Sequence, residues 1–222
     1  MQRLVRGLHH FQQHVFRSQR EFFERLATGQ APETLFITCS DSRINPNLIT
    51  QTEPGELFII RNAGNIVPPH SHVPGGEAAT IEYAVEVLNV SDIVICGHSQ
   101  CGAMKAVVDP TPLAQLPLVK QWLDNAEATR RIAKTRYAHL EGEDLLEVVV
   151  AENVLVQIEH LRTQPAVAAA LARGAVRLHA WVYAIETGHV HAYDPEQGQY
   201  APIEGKLVPV VEGTRRSASP WS

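Results

Sequence analysis

Residues 34–43 read Thr-Leu-Phe-Ile-Thr-Cys-Ser-Asp-Ser-Arg. The first half of this segment is a short apolar run of the kind that forms a buried strand. The second half replaces further core residues with the reactive and charged side chains of Cys39, Asp41 and Arg43. In parallel α/β sheets, ligands bind beyond the carboxyl ends of the strands. We therefore interpret the end of this strand as a candidate functional site.

A second apolar strand ends in a similar way. Residues 91–97 have the pattern of a buried strand, and they run directly into His98-Ser-Gln-Cys101. The two strand ends, with Cys39 on the first, offer two thiols and one imidazole, a ligand set that binds zinc. Three protein ligands leave one coordination position open, which is typical of a catalytic zinc. Each ligand alone could be an ordinary core residue, but their joint placement favours a metal site.

Asp41 and Arg43 are the next candidates for chemistry. They alternate with two serines, so a continuing strand would point their side chains the same way as that of Cys39. A bidentate pair with Arg43 would keep Asp41 ionised and oriented beside the metal. A structural salt bridge between the two is the alternative interpretation.

The order of the remaining elements predicts an α/β fold with a central, mostly parallel sheet, an antiparallel edge strand, flanking helices and an N-terminal helical arm. The predicted strands after the first are 57–60, 93–96, 175–185 and an antiparallel return at 189–193. The longer predicted helices after the arm are 77–88, 102–108, 118–135 and 143–161, and short helices are predicted to start at Asn45-Pro46 and Gln164-Pro165.

Three domains follow from the pattern along the chain. Residues 1–29 carry apolar side chains at nearly helical spacing, which predicts an amphipathic arm that packs on its own domain or mediates dimerisation. Residues 30–211 form the α/β zinc catalytic domain in this interpretation. Residues 212–222 are rich in Gly, Ser and Arg, which predicts a flexible tail.

The composition indicates a globular protein, since 45% of the 222 residues are hydrophobic and 19% are charged. The net charge of -5 gives no electrostatic reason to expect nucleic acid as a partner. No secretory signal precedes the three cysteines, and the apolar runs are too short to span a membrane. We therefore expect a cytoplasmic protein with reduced thiols and no membrane partner.

Taken together, these motifs resemble those of the β-class carbonic anhydrases. The resemblance covers residues 30–193, and its motifs are Cys39-Ser-Asp-Ser-Arg43, Arg61-Asn62, Glu82-Tyr83-Ala84-Val85 and Gly97-His98-Ser-Gln-Cys101-Gly102. It implies one zinc ion per chain, bound by Cys39, His98 and Cys101, with Asp41 and Arg43 as the catalytic dyad. It also implies a dimer whose N-terminal helices embrace the partner.

The implied reaction is the reversible hydration of CO2 to bicarbonate and a proton by a zinc-bound hydroxide. Zinc lowers the pKa of a bound water to about 7. Because Cys39 and Cys101 neutralise the charge of the metal, we expect weaker acidification than in a three-histidine site and activity favoured by mild alkali. Asp41 would orient the hydroxide while paired to Arg43, or would replace it as fourth ligand in a closed state.

The plant-type branch of the family implies a substrate pocket next to the zinc. Its glutamine, phenylalanine and tyrosine match Gln30, Phe58 and Tyr83, and Gly102 could present its backbone N–H to bicarbonate. The other branch has an inhibitory bicarbonate pocket with a tryptophan where this chain has Phe36. Arg61 and Tyr183 resemble the rest of that pocket, so bicarbonate regulation stays open.

Two other functions are alternatives to CO2 hydration. A relative that hydrolyses carbon disulfide or carbonyl sulfide would share the metal site, and a non-catalytic zinc-binding scaffold would use the fold for assembly. The presence of Asp41 and Arg43 argues against the scaffold, since a structural site needs no orienting dyad. The chain is similar to cyanobacterial carboxysomal members of the family. This similarity implies a carboxysome location, with shell or assembly proteins as partners of a homodimer or a larger oligomer of dimers.

Overall fold

A computed structural model describes residues 1–71, 73, 75–203 and 208–213, which fall into two compact units, Met1–Ala31 and Pro32–Ser222. The N-terminal unit is helical, as predicted. Its elements are α1 (Gln2–His10), a π-helical turn (Phe11–Val15), α2 (Phe16–Ser18) and α3 (Arg20–Leu26). Within it the rings of Phe16 and Phe23 stack with centroids 5.3 Å apart. None of these helical residues, all of which are described, is buried, and Leu4, Leu8 and Phe11 of the apolar stripe are exposed.

The second unit is built on one sheet. Its strands are β1 (Thr34–Cys39), β2 (Leu57–Asn62), β3 (Asp92–His98), β4 (Arg177–Tyr183), β5 (Val190–Asp194), β6 (Gln199–Pro202) and β7 (Val211–Glu212). The order is β2-β1-β3-β4-β5-β6, with β7 paired to β4. The pairings among β1 to β4 are parallel, and those of β5, β6 and β7 are antiparallel. The predicted fold class is confirmed, with three antiparallel strands where one was expected.

The chain end differs from the sequence-based expectation. Glu212 was assigned to the tail, but it lies in β7 opposite Arg177 of β4. The apolar side chains of Val210 and Val211 pack against the main core, the cluster of buried residues that contains Leu35, Ile93 and Leu178, which explains why this segment joins the sheet. Gly213 is also described, with its N–H donating to the carbonyl of Val176 at 3.3 Å, and the remaining residues of the predicted tail, 214–222, lie outside the described residues.

The α-helices of the second unit are α4 (Pro46–Thr50), α5 (Gly76–Glu82), α6 (Gly102–Val108), α7 (Pro117–Leu123), α8 (Glu127–Arg136), α9 (Gly142–Arg162) and α10 (Pro165–Ala172), and α5 continues into a π-helical turn at Tyr83–Val87. The prediction of one continuous helix over 118–135 was wrong, because a 3-10 turn at Asp124–Ala126 separates α7 from α8. There the side-chain amide of Asn125 donates to the carbonyl of Trp122 at 2.9 Å, a local bond that competes with the regular helix. Among the described helices, none has the length and hydropathy needed to cross a membrane.

Helix α9 lies against β3 at very short range. A Cβ atom built on Gly97 would lie 2.8 Å from Cγ2 of Val154 and 3.2 Å from Cγ1 of Val150. Only glycine allows this approach, because real Cβ atoms essentially never come so close to other heavy atoms. The strand residue that follows is His98, so the packing of α9 fixes the position of a candidate ligand.

Candidate metal centre

The three predicted ligands come together at the carboxyl ends of two neighbouring strands. Cys39 ends β1, His98 ends β3, and Cys101 is the N-cap of α6. Since β1 and β3 pair in parallel, their carboxyl ends lie side by side. The ligand atoms of these three buried residues all lie within 4.8 Å of one another.

His98 presents one nitrogen to this cluster. Its Nδ1 lies 2.8 Å from the carbonyl oxygen of Ser99, and because a carbonyl only accepts, Nδ1 carries the proton. Nε2 therefore offers its lone pair, and it is buried without a hydrogen-bond partner among the described residues. Leaving a buried polar atom unsatisfied costs on the order of 1–3 kcal/mol. A metal ion at Nε2 would remove this cost.

Each of the two buried thiols shifts the pKa of the other. Hydrogen bonding from Cys101 lowers the pKa of Cys39 to about 4, although burial opposes the shift. Hydrogen bonding to Cys39, and then burial, raises the pKa of Cys101 above its ordinary value. Two adjacent buried thiolates repel each other. A divalent cation bound between them would compensate their charge and lower the pKa of both thiols. Two thiolates and one imidazole are ligands that zinc prefers, so the residues fit zinc.

Asp41 and Arg43 form the predicted bidentate pair. Asp41 Oδ1 accepts from Arg43 Nε at 3.0 Å, and Oδ2 accepts from Arg43 Nη2 at 2.7 Å. These bonds hold the pKa of the Asp41 carboxyl well below its usual range. Oδ2 also lies 3.9 Å from His98 Nε2, so the ionised carboxylate faces the metal centre.

The route to this geometry differs from the predicted one. Strand β1 ends at Cys39, so strand alternation does not aim Asp41 and Arg43. Instead, the backbone N–H of Arg43 donates to Asp41 Oδ1 at 2.9 Å and closes a turn of the kind that aspartate favours.

Arg61 supports this turn, a role that sequence reasoning missed. Its Nε donates to the carbonyl of Cys39 at 3.0 Å, and its Nη2 donates to the carbonyl of Asp41 at 2.7 Å. The register places Asn62 beside Cys39. The signal that could have identified Arg61 is therefore its position next to last on the neighbouring strand. Arg43 is held in turn, because its Nη2 donates to the carbonyl of Gln100 at 3.2 Å.

The structure separates Phe58 and Tyr83 from the metal ligands of their own chain. The two rings lie together, with centroids 6.0 Å apart. Phe58 pairs with Leu35, four residues before Cys39 on β1, which is about 13 Å along the strand. Phe58 packs against the main core, whereas Cys39 belongs to a different apolar cluster. The expected pocket next to the zinc is thus not formed by these two residues within one chain.

The other predicted site residues have varied surroundings. Gly102 is the first residue of α6, directly after Cys101, and open space lies where its Cβ would be. Gln30 is exposed in the N-terminal unit, and its role in substrate binding stays a prediction. Phe36 is buried in an apolar cluster against which Tyr183 packs.

Comparisons with known proteins agree with this chemistry. A family model described as carbonic anhydrase matches residues 34–190. A carbonic anhydrase of Synechocystis is 55% identical over 195 residues, covering 87% of this chain and 71% of the relative. The solved structure of the β-carbonic anhydrase CcaA matches with a TM-score of 0.91 at 51% identity, covering 93% of both chains. One of two tetrameric β-carbonic anhydrases from Sordaria macrospora matches with a TM-score of 0.78 at 30% identity, covering 86% of this chain and 95% of that one.

Proposed function

The chain belongs to the β-class carbonic anhydrases, and on that premise we propose how its residues carry out the reversible hydration of CO2 to bicarbonate and a proton. The enzyme uses zinc, and Cys39, His98 and Cys101 are the residues that would hold it. The observation that carries the proposal is the Nε2 of His98, which has no hydrogen-bond partner among the described residues, is buried beside two thiols and is faced by an ionised Asp41.

Zinc supplies acidification, because it lowers the pKa of a bound water from 15.7 to roughly 7. Asp41 supplies orientation. Its carboxylate is acceptor-only when ionised, so Oδ2 accepts a hydrogen bond from the O–H of the nucleophile. This bond turns a lone pair of the nucleophile's oxygen toward the carbon of CO2.

Arg43 keeps Asp41 available for this task. Both carboxylate oxygens are bonded to the guanidinium, which competes with a metal ion for the same atoms. While the pair persists, Asp41 orients the nucleophile. If it broke, the Asp41 carboxylate would be available as a further metal ligand and would no longer orient the nucleophile.

Two measurements on the same samples test this function. Stopped-flow CO2 hydration by the wild-type protein, with zinc content verified, should show rapid turnover that increases in mild alkali. Asp41→Asn should retain zinc and lose most hydration, since an amide cannot replace the ionised acceptor. Wild-type protein that binds zinc without hydrating CO2 would contradict the proposed reaction. The family relatives favour this reaction over carbon disulfide or carbonyl sulfide hydrolysis.

We further propose that Gln30, Phe58, Tyr83 and Gly102 bind substrate, with Phe58 and Tyr83 serving the site of a second copy of the chain. Their distance from the ligands of their own chain supports this arrangement. Tyr83 is 45% exposed, so its ring is accessible to another subunit. An apolar ring beside the site suits CO2, which has no net dipole.

The N-terminal arm is proposed to mediate this dimer. Its apolar residues Leu4 and Leu8 are 64% and 60% exposed, and such a stripe requires a covering surface. Deletion of residues 1–29 should therefore yield monomers of reduced stability and activity, as measured by sedimentation and stopped-flow assays. A fully active dimer without the arm would assign the stripe another role.

For location, we propose a cytoplasmic enzyme that resides in carboxysomes together with shell or assembly proteins. The cyanobacterial relative, at 55% identity, supports this proposal. Cosedimentation of the purified enzyme with carboxysome shells is the test, and an enzyme that stays in the supernatant would contradict it.

A further inference from the structure

The sulfur of Cys39 has a backbone neighbour. The N–H of Gly64 points at Cys39 Sγ, with nitrogen and sulfur 3.4 Å apart. Gly64 has a φ of +83°, and a Cβ there would lie 3.0 Å from Ala103 Cβ and 3.1 Å from Met104 Cε. Glycine is required for both reasons, so this close approach of the backbone to the sulfur depends on residue type.

The peptide unit that joins Ala63 to Gly64 is also hydrogen-bonded through its carbonyl group. The carbonyl of this unit belongs to Ala63, and it accepts a hydrogen bond from Trp122 Nε1 at 2.8 Å. The carbonyl of Gly64, in the next unit, accepts from Asn153 Nδ2 at 3.1 Å. Asn153 is fully buried and is oriented by Gln157, whose Nε2 donates to its Oδ1 at 3.0 Å. Side chains from α7 and α9 thus donate hydrogen bonds to the two peptide carbonyls next to Cys39.

We propose that Trp122 is a positioning residue for Cys39, acting through the peptide that joins Ala63 to Gly64. The peptide is planar, so holding its oxygen fixes the direction of its N–H. Hydrogen bonds in a chain polarise one another, so the indole strengthens the bond from the Gly64 N–H to the sulfur. The inference rests on the proposed metal site, since the sulfur that Trp122 controls is a zinc ligand.

The placement of Trp122 supports a role beyond packing. Its ring is partly buried against the apolar cluster that contains Cys39 and Cys101. The 3-10 turn after α7 keeps the backbone of Trp122 in place through the bond from Asn125. When a group that orients a metal ligand through hydrogen bonds is removed, the affinity of the protein for the metal typically falls by 10–100-fold.

The test compares Trp122→Phe with Trp181→Phe. Trp122→Phe keeps an aromatic ring and removes the N–H donor. Trp181→Phe is the matched control, because Trp181 Nε1 has no hydrogen-bond partner in the described part of the chain. With cadmium-113 in place of zinc and nitrogen-15 in the glycines, scalar coupling passes through sulfur to the Gly64 amide proton only if the hydrogen bond exists. We expect this coupling in the wild type and the control, and a marked decrease in Trp122→Phe.

A second readout comes from cobalt. In the cobalt(II) protein, the sulfur-to-metal charge-transfer band should move to longer wavelength in Trp122→Phe, because the sulfur loses part of its hydrogen bond. Zinc affinity, measured by competition with a chromophoric chelator, should fall roughly tenfold. Equal coupling and equal band positions in Trp122→Phe and Trp181→Phe would overturn the inference.

Two further measurements test the inference without the Trp122→Phe variant. Absence of coupling at Gly64 in the wild type would overturn the inference directly. Biosynthetic fluorotryptophan makes the indole N–H more acidic and should increase the coupling, so no change would also overturn it. A wild-type protein that binds none of these metals at Cys39, His98 and Cys101 would overturn the metal site and the inference together. A wild-type protein that binds metal but shows no coupling at Gly64 would overturn the inference alone and leave the proposed function intact.

Discussion

An aspartate, an arginine and a histidine lie close together near each end of the parallel strands. The sets are Asp41, Arg43 and His98 at the carboxyl end, and Asp92, Arg177 and His179 toward the amino end. In both sets the arginine and the aspartate form a bidentate pair. The same residue types therefore occur twice, once near each end, and their surroundings determine what each set does.

Toward the amino end, the carboxylate binds both partners. Arg177 Nε and Nη2 lie 2.9 and 2.6 Å from the oxygens of Asp92, and His179 Nε2 lies 2.8 Å from Oδ1. Burial alone would raise the pKa of Asp92, but the bonds from Arg177, His179 and Ser91 outweigh it and lower the pKa. This set is a structural ion cluster that ties the starts of β3 and β4 together.

At the carboxyl end, the histidine stays free of the carboxylate, with 3.9 Å between His98 Nε2 and Asp41 Oδ2. His179 also has one buried nitrogen, Nδ1, without a partner among the described residues. A free imidazole nitrogen is thus not sufficient for a site. The difference is the two thiols near His98, and within residues 1–71, 73, 75–203 and 208–213 no comparable group of three ligands surrounds His179.

The largest expected effect comes from the ligands. Cys39→Ala, His98→Ala and Cys101→Ala should each lose zinc and CO2 hydration together, since two ligands cannot hold the ion tightly. Elemental analysis and stopped-flow assays on the same samples measure both. His179→Ala is the matched control and should keep stoichiometric zinc. Zinc lost from His179→Ala but kept in His98→Ala would reverse the assignment of the two ends.

A smaller effect is expected from the arginines. Arg43→Ala should keep zinc but lose hydration by about 100-fold, because a misplaced orienting group costs roughly that factor. Spectroscopy of the cobalt(II) form should show Asp41 bound to the metal. Arg177→Ala, its counterpart, should hydrate CO2 at the wild-type rate. Near-wild-type hydration in Arg43→Ala would make the carboxyl-end pair structural as well.

The smallest effect on activity is expected from Asp92→Asn. Since the folded pKa of Asp92 is lowered, its stabilising contribution is present above the unfolded pKa of about 3.9 and is lost as the pH falls through the folded pKa. Urea unfolding should therefore show a loss of about 2 kcal/mol at pH 7 that shrinks below about pH 4. Hydration at pH 7 should be unchanged. A stability difference that grows in acid would reject this account of the amino-end cluster.

The sequence was sufficient to predict the features of the site that depend on where the strands end. Apolar runs followed by Cys39 and His98 identified both strands and their carboxyl ends, and a parallel sheet necessarily brings such ends together. The pairing of Asp41 with Arg43 was also predicted, but for the wrong reason, since a turn rather than strand alternation forms it.

What the sequence did not predict depends on register and on side chains that contact the backbone. The distance between Phe58 and Cys39 follows from the pairing of Phe58 with Leu35, which no local pattern specifies. The roles of Arg61 and Trp122 consist of bonds to carbonyl groups, and every residue has a carbonyl. Strand β7 has two residues, too few for alternation to be detected.

The close approach at Gly97 has a consequence for protein engineering. His98 is held by a contact whose tolerance is smaller than one methyl group, as Val154 of α9 would lie 2.8 Å from a Cβ at position 97. Grafting the two strand ends onto another scaffold would transfer the ligands without the element that fixes their separation. The smallest transplantable version of this metal site therefore includes helix α9, although none of the three ligands lies on it.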